Sequence, residues 1–267
     1  MTKVAISGAA GRMGLRLIDL AYQDTAIELA AAIDSPQHPK FGQDAGAAAG
    51  IGEIGILLAE TPATSVDAVV DFSSLEGAEK ALDYCLAESC GLVMATTGLS
   101  DSFTKRLNDA SSQIPIVWAP NMSLAVNLTM KLSEMAATAL KGHGSGVDVE
   151  IIERHHRYKA DSPSGTALKF GQLIADSMGK TEHCHGREGM IGQRPENEIG
   201  YHAVRTGDDP GQHTIVFGML GETIELRVAA SNRDCYASGA LEAAKFLKDH
   251  GPGMYSMYDV LGLGDKT

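Results

Sequence analysis

The sequence predicts an α/β protein in which a doubly wound parallel sheet is followed by a second, α+β domain with an open mixed sheet. Three observations lead to this fold class. Short apolar runs alternate with amphipathic helical stretches through the first 120 residues, which is the order of a doubly wound sheet. Closely spaced glycines stand where the first of these runs turns into the first helix. After Pro120 the pattern changes to a long helix and several alternating strands.

The first half begins with a buried strand, a tight turn and a helix. Residues 3–7 form a short apolar run, residues 8–14 favour a turn, and residues 12–23 place apolar side chains at helical spacing. A second apolar strand is predicted at 27–33. The alternation continues with strands at 66–70, 92–95 and 114–118 and with helices at 76–88 and 102–111. This order predicts a Rossmann-like domain.

The second half has fewer helices among its strands. Its predicted elements are helices at 124–140, 167–178 and 238–248 and strands at 147–153, 199–205, 213–217 and 223–229. This mixture predicts an α+β domain, with the C-terminal helix returning to the first domain. Residues 179–197 are polar and rich in glycine, histidine and charge, which predicts a mobile loop.

The charge balance narrows the range of partners. The 267 residues include 22 Lys and Arg against 34 Asp and Glu, a formal net charge of −12. This charge disfavours nucleic acid or an anionic membrane surface as the main partner. The first residues run into a predicted strand without a signal-peptide pattern, and no long apolar span follows. We therefore expect a cytoplasmic protein.

The cysteines and histidines give no sign of a disulfide framework or a metal site. The four cysteines lack paired spacing, so reduced thiols are expected. His183-Cys184-His185 contains metal-binding residue types, but adjacent side chains rarely converge on one ion. No metal is expected.

The turn after the first strand carries a glycine motif that favours a bound dinucleotide. Gly8, Gly11 and Gly14 recur at three-residue spacing, which differs from the usual G-x-G-x-x-G. Glycine permits the tight turn and removes the Cβ that would keep a pyrophosphate from the backbone amides. Close packing of strand against helix is the alternative explanation. The residues expected to contact the cofactor here are Gly8, Ala9, Ala10, Gly11, Arg12 and Met13.

Asp34 adds to this prediction because it ends the second strand, 20 residues after Gly14. A carboxylate at this position can accept hydrogen bonds from the hydroxyls of an adenosine ribose; an ordinary turn residue is the alternative. The next four residues include no arginine, and Asp34 would repel a 2′-phosphate. The sequence predicts NADH as the preferred cofactor, with NADPH as the alternative if Arg12 or Lys40 reaches the phosphate.

Two loops at strand ends complete the predicted cofactor site. Open α/β sheets bind ligands at the carboxyl ends of their strands, and Thr or Asn can hydrogen-bond a carboxamide or a ribose. Ordinary turn chemistry is again the alternative. The residues expected at the cofactor from these loops are Ala95, Thr96, Thr97, Ala119, Pro120, Asn121 and Met122.

A cluster of basic side chains follows the strand predicted at 147–153. The run Glu153-Arg154-His155-His156-Arg157-Tyr158-Lys159 contains five Arg, His or Lys residues, and Asp161-Ser162-Pro163-Ser164-Gly165-Thr166 leads from it into a helix. Histidine has an ordinary pKa of roughly 6.5 and can transfer protons. The helix start supplies N–H groups for an anion. The run therefore predicts a carboxylate or phosphate pocket with proton donors; a solvated basic loop is the alternative.

Together these motifs resemble the 4-hydroxy-tetrahydrodipicolinate reductases, also called dihydrodipicolinate reductases, of bacterial diaminopimelate and lysine biosynthesis. They stand in the family's order over nearly the whole chain and end with Asn232-Arg233 and Gly239-Ala240. The most specific is the histidine–lysine run with Ser162-Pro163-Ser164-Gly165-Thr166-Ala167-Leu168.

The resemblance implies a homotetrameric reductase of a cyclic dicarboxylate that carries an imine, with loss of water. It implies that residues 1–122 and 233–267 form the dinucleotide-binding domain, and that residues 123–232 bind the substrate and build the tetramer through their sheet. His155 would be the general acid/base and Lys159 the proton donor. The substrate would be bound by His156, Gly165 and Thr166.

The chain departs from the family near the expected cofactor site. The family more often has an aromatic residue at Met122, glycine at Ala95 and Ala125, and a Thr-x-Pro-like segment at residues 73–76. We expect Met122 to weaken stacking on the nicotinamide. These departures bear on cofactor affinity and preference more than on the reaction class.

Two other functions are consistent with the sequence. A related imine or amino-acid dehydrogenase would use the same groups on an open-chain dicarboxylate. A non-catalytic NADH-sensing module would bind partners instead, but the sequence contains no helix-turn-helix pattern or basic tail. A sensor would also have little need for so many proton-transfer groups.

Overall fold

The computed structural model describes residues 1–264, which form two compact units. One unit contains Met1–Leu124 together with the segment that begins at Arg233, and the other is Ala125–Asn232. The first unit is thus built from two separate parts of the chain.

The first unit is a seven-stranded parallel sheet in the order β12-β6-β5-β4-β1-β2-β3. Its strands are β1 (Thr2–Ser7), β2 (Ile27–Ile33), β3 (Leu58–Ala59), β4 (Ala68–Asp71), β5 (Gly91–Met94), β6 (Pro115–Trp118) and β12 (Gly253–Tyr255). Its helices are α1 (Arg12–Gln23), α2 (Ala45–Ala49), α3 (Leu75–Glu88), α4 (Asp101–Ala110), α7 (Asp234–Lys248) and α8 (Met257–Val260). Because the strand order reverses at β1 and β4, their carboxyl ends form the switch point where such sheets bind ligands.

Two hydrophobic clusters cover the faces of this sheet. One contains Leu17 of α1 and Leu241 of α7, and the other contains Leu82 of α3 and Leu107 of α4. The interior strand β1 is buried along most of its length, because helices exclude water from both of its faces.

The second unit is a five-stranded mixed sheet in the order β11-β10-β7-β9-β8. Its elements are α5 (Leu124–Leu140), β7 (Asp148–His155), α6 (Gly165–Met178), β8 (Glu182–Cys184), β9 (Glu198–Arg205), β10 (Gln212–Met219) and β11 (Glu222–Ala229). Strands β8, β9 and β7 run parallel, and β10 is antiparallel to both β7 and β11. Burial alternates along β7, so one face of the sheet forms a core and the other is more exposed.

The fold class predicted from the sequence is confirmed, and α1, β2 and α5 have the predicted bounds. The loop predicted at 179–197 is wrong in one respect, because it contains β8, whose short polar sequence becomes a strand by pairing with β9. The small-residue segment near residue 45 forms α2, where Asp44 caps the helix. None of the helices within residues 1–264 is both long and apolar enough to cross a membrane.

Candidate active site

An acid/base cluster forms on the core-facing side of the second sheet. Glu153 and His155 are two residues apart on β7, so their side chains share a face. His213 of β10 pairs opposite Glu153, and Arg205 of β9 pairs opposite His155. Strand register therefore gathers four polar side chains from three strands that are far apart in sequence.

The Glu153 carboxylate is 1% exposed and accepts hydrogen bonds from three N–H groups, two of Arg205 and one of Ser164. The two terminal nitrogens of Arg205 lie 2.7 Å from its two oxygens, and the backbone N–H of Ser164 donates to Oε1 over 3.0 Å. Nδ1 of His155 lies 2.6 Å from Oε2. Burial raises the pKa of Glu153, but the hydrogen bonds from Arg205 and His155 outweigh it and hold the pKa below its usual range. Glu153 is therefore an ionised, fully satisfied carboxylate at neutral pH.

His213 is the neutral member of the cluster. Burial and the neighbouring His155 lower the pKa of His213 to about 4. Its Nε2 lies 3.0 Å from Oγ of Ser164, and that oxygen also accepts the backbone N–H of Ala167 over 3.2 Å. The contact joins the uncharged imidazole of His213 to the residue that caps α6. The rings of His213 and His155 meet edge to face, 5.3 Å apart.

Lys159 lies in the turn between β7 and α6. Its ammonium is 2.8 Å from Oδ1 of Asp161, and this contact holds the pKa of Asp161 below its usual range. Asp161 also accepts a hydrogen bond from the backbone of Gly165, the first residue of α6. Lys159 is therefore held by charge beside the amino end of a helix, where N–H groups favour anions.

The other predicted substrate residues lie in the same turn and helix start. The carbonyl of His156 accepts the N–H of Lys159 over 3.1 Å. Within residues 1–264, Nδ1 of His156 is buried without a hydrogen-bond partner. Thr166 is the second residue of α6 and is half-buried. The end of β7, the turn after it and the start of α6 thus carry His155, Lys159 and the predicted substrate-binding groups.

A cavity of about 400 Å³ lies at the carboxyl end of the first sheet. Three of the residues predicted at the cofactor, Gly8, Gly11 and Asp34, line this cavity, whose volume is in the range of small-molecule sites. Residues outside the predicted cofactor set also line it, among them Phe72, Gly77 and Lys80. Ser73 and Ser74, from the segment at 73–76 noted near the expected cofactor site, line it as well.

The glycine loop leaves room for a dinucleotide in this cavity. Gly8 has a φ of +75°, and a Cβ there would lie 2.6 Å from the carbonyl oxygen of Phe72. A Cβ at Gly14 would lie 2.2 Å from the carbonyl oxygen of Gly8, so these two glycines allow close packing of the loop. Gly11 is the N-cap of α1 and supplies no capping side chain. The first N–H groups of α1 can therefore face a pyrophosphate, and the loop fits such a group.

Asp34 combines a structural role with free acceptor capacity. Its two oxygens accept the backbone N–H groups of Ala10 over 2.7 Å and Ser35 over 2.8 Å. Each carboxylate oxygen has a further lone pair with which to accept a ribose hydroxyl. Lys40, the alternative partner for a 2′-phosphate, donates to the carbonyl of Ala48 over 3.2 Å. Its ammonium is thereby tied to α2.

The hydroxyl of Thr96 is engaged in hydrogen bonds within the protein. Its hydroxyl donates to Oδ2 of Asp71 over 2.6 Å and accepts the N–H of Ser73 over 3.1 Å. Asp71 is fully buried, and burial raises its pKa above the usual range. Thr96 therefore joins the loop after β5 to the loop after β4.

Several other residues predicted at the cofactor have side chains in the hydrophobic core. Met122 is 1% exposed and packs in the hydrophobic core, and its expected effect on nicotinamide stacking stays a prediction. The backbone of α7 covers this segment closely, since a Cβ at Gly239 would lie 1.8 Å from the carbonyl oxygen of Met122. Any contact from such residues to a cofactor must come through the backbone. The members of the core cluster from the predicted set are Ala9, Ala10, Ala95, Ala119 and Met122, with Met13 packed against them.

The remaining predicted residues lie nearer the surface. Arg12, Thr97 and Pro120 are exposed. The side chain of Asn121 accepts the N–H of Ser123 over 2.9 Å and so shapes the turn after β6.

Sequence reasoning did not assign roles to Glu153, Arg205 or His213. The alternation of β7 could have placed Glu153 on the face of His155, because the two are separated by one residue. Arg205 and His213 lie on other strands, and only knowledge of the strand register brings them to the site.

A second charged cluster lies on the opposite face of the same sheet. Glu150 accepts hydrogen bonds from Arg187, Arg194 and His202 over 2.7 to 3.0 Å. Burial raises the pKa of Glu150, but these donors lower it to about 2. Arg187 also pairs with Glu198. The two arginines therefore tie the segment after β8 to β7 and β9.

Comparison with known proteins identifies relatives over nearly the whole chain. Residues 2–122 match the family model described as dihydrodipicolinate reductase, N-terminus, and residues 125–261 match that of the C-terminus. The 4-hydroxy-tetrahydrodipicolinate reductase of Rhodopirellula baltica is 55% identical over 270 residues, which cover 98% of this chain and 96% of that protein. The enzyme of the same name from Alkalilimnicola ehrlichii is 45% identical over 268 residues, covering 98% of this chain and 99% of that protein.

A solved structure has the same fold. It is the dipicolinate-bound dihydrodipicolinate reductase of a Paenisporosarcina species, with a TM-score of 0.76 and 24% identity. The match covers 97% of this chain and 98% of that one.

Proposed function

The chain belongs to the dihydrodipicolinate reductase family, and from this premise we propose that it reduces 4-hydroxy-tetrahydrodipicolinate to tetrahydrodipicolinate. The reaction uses NAD(P)H, releases water and belongs to diaminopimelate and lysine biosynthesis. The observation that carries the proposal is the buried contact of His155 with the ionised Glu153, in the same turn region as Lys159.

His155 and Lys159 have complementary roles in this proposal. His155 is the general acid/base, because its Nδ1 is held by a carboxylate and its Nε2 is available to transfer a proton. Lys159 is the proton donor and also brings a positive charge to a doubly negative substrate. His156, Gly165 and Thr166 bind the substrate carboxylates, for which charge-assisted hydrogen bonds each contribute about 1.5–3 kcal/mol.

The first unit holds the nicotinamide cofactor, which supplies the hydride when bound. The glycine loop receives the pyrophosphate at the start of α1, and Asp34 accepts the hydroxyls of the adenosine ribose. NADH is preferred, because the Asp34 carboxylate lines the cavity and Lys40 is tied to the carbonyl of Ala48. A 2′-phosphate would meet negative charge there.

The protein assembles as a homotetramer in the cytoplasm through the second sheet. Ile152 and Val204 support this proposal, because they are 41% and 43% exposed on the sheet face away from His155. Exposed apolar side chains in the middle of a sheet favour contact with another copy.

The proposed reaction is tested by turnover with purified protein. Freshly made 4-hydroxy-tetrahydrodipicolinate should cause the protein to consume NADH. Open-chain imines and amino acids should not. The variant Lys159→Ala should retain NADH binding and lose about 10²-fold or more in kcat. Lys169→Ala is the control, because Lys169 lies on the exposed side of α6. Equal activity of the two variants would show that Lys159 takes no part in the reaction. Faster turnover of an open-chain substrate would show that the protein catalyses a different reaction from the one proposed.

A further inference from the structure

We propose that Glu153 is a positioning residue for the reaction: it fixes His155 with the proton on Nδ1, so that Nε2 is the atom that exchanges protons. Arg205 keeps the carboxylate charged and in place. This inference rests on the proposed function for its kinetic consequences, but the tautomer itself is a property of the folded protein.

The hydrogen-bond donors around Glu153 determine the tautomer of His155. Arg205 donates to both carboxylate oxygens, and the Ser164 N–H donates to Oε1. Neither group can accept a hydrogen bond from a protonated carboxyl. A protonated carboxyl would have to direct its proton at one of these donors or at His155. Since the contacts from Arg205 stabilise the ionised form, the carboxylate accepts at Oε2, and Nδ1 of His155 must donate across the 2.6 Å contact.

Glu153 is also the anion in contact with the imidazole of His155 during proton transfer. When Nε2 takes up a proton, the imidazolium lies directly against a buried carboxylate, and its charge is balanced without water. The charged or titratable groups around His155 are Glu153 on its own strand, His213 of β10 and Arg205 of β9, and Lys159 of the following turn acts on the adjacent His213. His213 is neutral and the other two are cations, so Glu153 is the one anion among these neighbours.

A purely structural role for Glu153 is the competing explanation. The carboxylate also binds the backbone of Ser164, which caps α6, so its loss could disturb the turn without any effect on tautomer. A decrease in rate alone would not separate the two roles. The test must therefore read the position of the proton.

The direct measurement is ¹⁵N NMR of the histidine side chains in the unaltered protein at a pH where His155 is neutral. His155→Gln assigns the His155 signals among the nine histidines. We expect His155 to be protonated on Nδ1 and unprotonated on Nε2. A proton on Nε2 in the unaltered protein would overturn the proposal, and this result needs no variant of Glu153 to fold.

The variant Glu153→Gln tests the kinetic consequence. Its amide can accept from or donate to Nδ1, so both tautomers should be populated, and kcat should fall by about 10²–10⁴-fold. KM should change little. Glu150→Gln is the matched control, since it removes a carboxylate from the opposite face of β7, and it should keep the tautomer and kcat.

The proposal fails if Glu153→Gln keeps both the wild-type tautomer and the wild-type kcat. If the unaltered protein does not reduce the proposed substrate, the proposed function fails instead. The NMR measurement then still decides whether Glu153 sets the tautomer of His155.

Discussion

Gly211 lies beside the outer end of the His155 ring, where a Cβ on residue 211 would be 2.8 Å from Nε2. The φ of Gly211 is +142°, a conformation that residues with a side chain rarely adopt. Glycine is therefore required both by the backbone and by the space at the proposed proton-exchanging atom.

Gly211→Ala should lower kcat by more than tenfold, because the methyl group displaces or blocks Nε2. Backbone strain should also cost about 1–3 kcal/mol of stability. Steady-state kinetics and urea unfolding measure the two effects. Gly207→Ala is the control, because Gly207 also has positive φ but its added Cβ would meet nothing within 4 Å. Equal loss of kcat in both variants would attribute the effect to strain alone.

Asp34→Ala should weaken NADH binding by about tenfold or more, since a ribose hydroxyl loses an acceptor. Binding of NADPH should weaken less or improve, because a repulsive charge is removed. Parallel titrations of the two cofactors give the ratio. Asp44→Ala controls for the loss of backbone contacts, because Asp44 accepts N–H groups from Ala47, Ile54 and Gly55. Stronger binding of NADPH than NADH by the unaltered protein would contradict the role assigned to Asp34.

Protonation of His213 should destabilise the protein in mild acid. Its pKa is lowered from 6.5 to about 4 in the folded state, so the unfolded chain binds the extra proton between these values. This contribution to stability is fully present above about pH 6.5 and is lost as the pH falls toward 4. Between pH 7 and 4.5 the loss is about 2–3 kcal/mol.

Urea unfolding of His213→Gln at these two pH values measures this contribution. The variant should lose less stability on acidification than the unaltered protein, because glutamine does not titrate. His250→Gln, which changes an exposed histidine, should behave like the unaltered protein. An unchanged pH dependence in His213→Gln would show that His213 is not held neutral.

Glu150→Gln should destabilise the second unit by about 1–3 kcal/mol, because Arg187, Arg194 and His202 lose the charge that they share. The stabilisation by this carboxylate is present above its ordinary pKa of 4.5 and is lost as the pH falls toward 2. Limited proteolysis between residues 188 and 193 should become faster, since both anchoring arginines are weakened. Glu225→Gln, on the exposed strand β11, serves as the control. Unaltered proteolysis in Glu150→Gln would show that the segment is held by other contacts.

The sequence predicts most of this fold because its elements have strong local signals. The apolar run of β2 and the helical spacing of α1 need no tertiary information, and both were predicted with their observed bounds. Strand β8 has no such signal, since Glu-His-Cys becomes a strand only through pairing with β9. The prediction of a mobile loop at 179–197 is wrong at β8 for that reason.

The site is less accessible to sequence reasoning than the fold. The basic run and the turn before α6 are contiguous, so His155 and Lys159 could be identified as candidates. Glu153 and Arg205 are 52 residues apart, and their pairing depends on the parallel register of β7 with β9. The loop after β6 is a different case: its position at a strand end predicts a cofactor contact for Met122, but the burial of its side chain by α7 follows only from tertiary structure.

The assembly of the first sheet from two chain segments has a consequence for synthesis on the ribosome. Strand β12 and the core residues of α7 follow Asn232 in sequence, whereas every strand of the second sheet precedes it. The nascent chain can therefore close the later sheet while the earlier one still lacks its edge strand and a covering helix. We expect the nucleotide-binding half to emerge first and mature last, with its apolar surface in need of chaperone protection during the interval.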